Sequence, residues 1–101
     1  MQFIYVLRLI PRLINEEAWT EEDNKIVEEH FSYLQKYQKS GKLILAGRTT
    51  LDDEDNFGLV IIKSSEVEAN DMMHNDPAVK KGIMTATLYP YRVALISENN
   101  V

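Results

Sequence analysis

Glu28–Thr50, EEHFSYLQKYQKSGKLILAGRTT, decides the fold. Its first half spaces Phe31, Leu34 and Tyr37 three residues apart, one side of a helical turn, with charge on the other side. Gly41 then sits where a helix ends most easily, because it accepts positive φ without a Cβ clash. Leu43–Ala46 is short, apolar and closed by Gly47, the mark of a buried strand. The stretch is therefore helix, tight turn, strand.

Working outward towards the N-terminus, the helix is expected over 21–39. Val27, Phe31 and Leu34 form its apolar line, flanked by Ile26, His30 and Tyr37. Thr20 is a good N-cap, with Asp23 in the capping-box position. Glu21 and Glu22 fall in the first turn, and Lys36 and Lys39 near the last, as the helix dipole favours. Residues 11–20 read as a packed connector carrying Leu13, Ile14 and Trp19, with the tryptophan as a lid over the core. Before Pro11, FIYVLRLI (3–10) is aromatic, β-branched and apolar nearly throughout, as in a central strand. Arg8 shares a strand face with Ile4, Val6 and Ile10. It either snorkels to solvent or anchors an anion at a pocket mouth.

Towards the C-terminus, RTTLDDEDN (48–56) reads as a solvated hairpin loop. Its acids lack the spacing and central glycine of an EF-hand. A third strand follows over 57–63. Ser64 or Ser65 caps a helix over about 66–74, packed through Val67, Ala69, Met72 and Met73. Asp76-Pro77 allows a new start, aspartate as N-cap and proline at the first helical position, and that turn ends at Gly82. The last strand is expected over 85–96, bent at Pro90, with a frayed tail SENNV over 97–101.

The order is β-α-β-β-α-β, the ferredoxin-like split pattern of an α+β domain. It predicts a four-stranded antiparallel sheet with two main helices on one face, and residues 1–101 as a single domain. Strands apolar on both faces imply that a second copy covers the bare face, so a homodimer forming an α+β barrel is expected.

The chain has 101 residues, with 11 basic against 16 acidic groups, a net charge of −5. The basic residues are scattered, which argues against nucleic acid and anionic membrane as partners. There is no cysteine, so disulfides, thiolate metal sites and cysteine catalysis are excluded. That fits a reducing, cytoplasmic setting. Arg8 and Arg12 interrupt the apolar N-terminus, which has no signal-peptide form, and no run reaches membrane-spanning length. The four glycines are too dispersed for a nucleotide-binding loop, and no G-x-S-x-G elbow occurs.

His30, Leu34, Gly41-Lys42-Leu43, Ala46-Gly47 and Asn75-Asp76-Pro77, in that order along almost the whole chain, resemble the YciI-like family (YCII-related domain). The resemblance implies a dimeric, ferredoxin-like α+β barrel and an enzyme whose suspected catalytic groups fall on His30 and Asp76. The family usually has proline after the strand-ending glycine; Arg48 stands there here and adds a charge.

From the residues themselves, His30 lies beside the apolar line of the first helix. An aspartate could fix its tautomer and leave the other ring nitrogen free as acid or base near neutral pH. Asp76 either does this, caps its own turn, or does both. On this reading His30 and Asp76 carry isomerase- or hydrolase-type acid–base chemistry on a small organic molecule, without a cofactor. Arg8, Tyr5 and Arg48 are the candidate substrate contacts. The competing reading is a non-catalytic, ligand-binding or accessory dimeric module. His74 could join His30 and Asp76 around a metal, but no HExxH-type spacing asks for one, so no metal is expected.

Overall fold

The computed structural model describes residues 1–51 and 54–97. The strands are β1 (Gln2–Leu9), β2 (Leu43–Arg48), β3 (Gly58–Lys63) and β4 (Met84–Tyr91). The helices are α1 (Glu21–Ser40), α2 (Glu66–Asn75) and the single turn α3 (Pro77–Lys80). Two short 3-10 turns, Pro11–Ile14 and Glu16–Ala18, fill the connector before α1. The strands form one antiparallel sheet in the order β2-β3-β1-β4.

Local chemistry sets the boundaries. The Thr20 hydroxyl accepts from the Asp23 N–H, and the Asp23 carboxylate accepts from the Thr20 N–H, a complete capping box. Gly41, at φ 83°, ends α1 in the left-handed region. The β2–β3 hairpin is closed by the Thr49 N–H on the Phe57 carbonyl at 2.8 Å, and by the Phe57 N–H on the Thr49 hydroxyl at 3.0 Å. Within the loop, Asp52 and Asp53 lie outside the described residues, and so does the expected frayed tail beyond Ser97.

Burial alternates along β1. Phe3, Tyr5 and Leu7 face the helices and are buried, Ile4 and Val6 are half-covered on the other face, and Arg8 is exposed. Two clusters make the core. The larger joins Phe3, Tyr5, Leu7, Val60 and Ile62 to Leu34, Ala69, Met72 and Met73; the smaller holds Leu13, Ile26, Ala78 and Ile83.

Several expectations need correction. The α+β barrel is not formed: the sheet is open, with β2 and β4 as its two edges. β2 and β4 do not pair with each other, so the four strands do not close on themselves. The near-continuous apolar strands belong instead to a sheet whose helix side is sealed and whose other side is partly apolar. That removes the argument that they must line a closed interior. The last strand stops at Tyr91, not Ile96, because its register places Tyr91 opposite Gln2 and β1 has no further residues to pair. The chain beyond is tethered by the Val93 N–H on Gln2 Oε1 at 2.7 Å. The buried stripe of α1 runs Asp23, Ile26, His30, Tyr33, Leu34, Tyr37, so Phe31 is rotated out and 63% exposed. Val67 is likewise outside the packing, at 74% exposure, and Ile14 is exposed while its neighbour Leu13 is buried. No helix among the described residues is long and apolar enough to cross a membrane.

Candidate active site

Asp76 sits at the break between α2 and α3. Pro77 cannot extend α2 and pushes the preceding residue out of the helical region; Asp76 accordingly has φ −59° and ψ 125°. Its N–H donates to the Met72 and Met73 carbonyls, closing α2. Its side chain accepts from the Ala78 N–H at 3.0 Å, opening α3. The carboxylate is thus aimed inward by the chain's own turn, and it is 0% exposed.

Two side chains from distant elements meet it. Tyr5 of β1 donates its hydroxyl to Asp76 Oδ2 at 2.8 Å. His30 of α1 places Nδ1 2.6 Å from Asp76 Oδ1. Burial, and then the adjacent Asp76 carboxylate, push the Tyr5 hydroxyl far above the ordinary tyrosine value, so it stays protonated and can only donate here. With both carboxylate oxygens already accepting, His30 Nδ1 is the donor in its own contact, which leaves Nε2 as the basic nitrogen. No buried side-chain nitrogen or oxygen among the described residues lacks a partner. Among the described residues Nε2 has no hydrogen-bond partner, so it opens to solvent through the 14% of the His30 side chain that remains exposed. Behind the pair, Tyr33 donates to the Met72 carbonyl at 2.8 Å and stacks edge-on to Tyr37 at 5.1 Å. Burial first, then Tyr37, raise the Tyr33 hydroxyl above its ordinary range.

Of the five residues singled out in the sequence, the structure brings Tyr5, His30 and Asp76 together. Arg8 lies on the opposite sheet face, its guanidinium 5.1 Å from the centre of the Phe57 ring. Arg48 lines a separate open cavity of about 650 Å³ with Leu9, Leu13, Trp19, Asn24 and Leu51. His30 and Asp76 do not line that cavity. His74 is on the exposed side of α2, its Nδ1 donating to the Asn70 carbonyl at 2.8 Å. No group of three or more potential ligands among the described residues is placed to hold a metal ion.

Sequence reasoning treated Tyr5 as a substrate contact and did not find its bond to Asp76. Alternation along β1 put Tyr5 opposite Arg8, on the face that the helices cover, and that was the available signal. It also missed the Arg12 guanidinium, which bonds both Asp23 oxygens at 2.9 Å. Nothing in the connector marks that pairing beyond an arginine after a proline.

No curated protein matches the chain. Among solved structures, it is similar to 5-chloro-2-hydroxyhydroquinone dehydrochlorinase (TftG) from Burkholderia phenoliruptrix AC1100, in complex with 2,5-dihydroxybenzoquinone. The TM-score is 0.69 at 20% identity, over 91% of this chain and 94% of that one. At that identity the likeness is one of fold. The YCII-related domain matches residues 2–90, and the chain belongs to that family.

Proposed function

We propose that the chain is an enzyme that moves a proton on a small organic molecule. His30 Nε2 is the acid or base, and Asp76 orients the ring. The observation that carries this reading is the 2.6 Å contact of His30 Nδ1 with a fully buried carboxylate, with the second ring nitrogen left open. A histidine kept only for packing also needs a partner for its buried nitrogen, but it does not need the second nitrogen left accessible. One placed for proton transfer needs a fixed tautomer and a reachable nitrogen. The fold shared with a dehydrochlorinase supports the same class, because loss of HCl from a hydroxylated ring needs a group to take up a proton. Small hydroxylated or quinone-like rings, and lactones and carboxylates with acidic protons, are therefore the first compounds to test. The decisive experiment is a turnover screen of these compounds, followed by proton release and absorbance, with His30→Ala as the control. Turnover lost in the variant supports the reading. Turnover that persists undiminished in His30→Ala overturns it.

A second reading rests on the cavity lined by Arg48 and Trp19. It has the size of a small-molecule site and does not contain the histidine, which favours a binding or accessory role exercised there. Binding of a small carboxylate that is lost in Arg48→Ala and unchanged in His30→Ala would favour it. Exposed apolar side chains at Leu45, Tyr89 and Tyr91 support self-association of two chains through the open sheet face. Sedimentation that shows only monomer at micromolar concentration overturns that part.

A further inference from the structure

We propose that Tyr5 is a positioning residue for His30, acting through Asp76 and touching no substrate. This rests on the reading of His30 as the acid–base group. Tyr5 is 0% exposed, so nothing from solvent can reach its hydroxyl. That hydroxyl donates its proton to Asp76 Oδ2 at 2.8 Å. The other oxygen, Oδ1, takes both the Ala78 N–H and His30 Nδ1.

Two consequences follow from this division. The first is geometric. A carboxylate held at one oxygen only can swing about its Cβ–Cγ bond, whereas one held at both cannot. The Tyr5 bond, made from the central strand, therefore fixes the direction in which Oδ1 meets the imidazole. The second is electronic. A donor on Oδ2 draws negative charge away from Oδ1 and weakens its pull on the Nδ1 proton. Tyr5 so limits how firmly the imidazole holds a second proton on Nε2. It sets the basicity of an atom it never contacts. Besides Asp76, the ionisable side chains that act on Tyr5 are Tyr33 and Tyr37 of α1. Lys81, just after α3, pairs with Glu29 of α1, and the other charged groups of α1, α2 and α3 are not in contact with the Asp76 carboxylate.

The test is nitrogen and proton NMR of the His30 ring in the full chain, which needs no substrate. His74, bonded to the Asn70 carbonyl on the exposed side of α2, serves as internal reference. In Tyr5→Phe the Nδ1 proton is expected further downfield, with the His30 protonation midpoint raised by roughly half a pH unit, about 3-fold in the equilibrium. Fluorotyrosine installed at position 5 keeps the shape and strengthens the donor, so both signals move the opposite way. This isosteric form also serves where Tyr5→Phe fails to fold. Opposite shifts in the two variants, with His74 unmoved, support the proposal. His30 signals unchanged in both, with only the melting temperature altered, overturn it and leave the proposed function standing. An Nε2–H tautomer in the unaltered protein overturns both. Normal shifts at His30 without turnover of any compound count against the function alone.

Discussion

Asp76 meets three donors with two oxygens, and each donor comes from a different part of the chain. Asp76→Ala leaves the Tyr5 hydroxyl and the Ala78 N–H without their partner in a buried site. Each unsatisfied buried donor costs about 1–3 kcal/mol, so the variant is expected to lose on the order of 3 kcal/mol. A lowered urea midpoint at constant slope checks this. Asp76→Asn separates structure from chemistry. The amide can turn an N–H toward His30 and force the wrong tautomer. In a comparable histidine–aspartate arrangement such a change lowers turnover about 10⁴-fold. The expected result is a folded protein, by circular dichroism, with a similar loss of any activity that depends on His30. His30 and Asp76 could be suspected from sequence because the histidine interrupts an apolar stripe and Asp-Pro marks a turn. Tyr5 could not be assigned its role, because its bond to Asp76 spans 71 positions and no local pattern reports it.

At the scale of elements, α1 was legible because its signals are local: the Thr20 cap, the alternating faces and Gly41. Thr20→Ala is expected to cost about 1 kcal/mol, read as a drop in thermal midpoint. The rotation of its buried face was not legible. Periodicity gives a stripe to within about one residue, and the docking of α1 between β2 and α3 chose Ile26 and His30 over Phe31. The length of β4 failed for a related reason. Val93 and Ile96 are good strand formers in an apolar run, but a strand ends where its neighbour does. The Arg12–Asp23 pair gives this region a pH dependence. The Arg12 guanidinium, with Thr20, holds the Asp23 carboxyl well below the usual carboxylate range. A lowered folded-state value adds stability above the ordinary carboxyl range, and that stability is lost as pH falls through the folded value. Acid unfolding is therefore expected to steepen at low pH in the unaltered protein. In Arg12→Leu the same loss is smaller, and urea midpoints between pH 6 and about 2 check it.

Across the molecule, layer order governs both stability and access. β1 lies between two strands and under the helices, while β2 is an edge that α1 only partly covers. Hydrogen exchange is expected to be slowest at Phe3, Tyr5, Leu7 and Val60, and fast along β2 and in residues 92–97. Ile62→Ala, at a fully buried position, is expected to cost about 2–5 kcal/mol. The fold order itself followed from the sequence, since βαββαβ admits few connections. Closure did not follow, because apolar strands say that a face is covered and not by what.

The double duty of Asp76 bears on how such chains diverge. Without it α3 has no cap and Tyr5 no acceptor, so any descendant that still folds is under pressure to keep the aspartate whether or not it retains a reaction. His30 is different: among the described residues its ring makes one bond, to Asp76, and it is partly exposed. A lineage that abandons the chemistry can replace the histidine and remain intact. Among relatives of this chain, the Asp-Pro pair would then mark a common architecture, and the residue at position 30 would separate working members from retired ones.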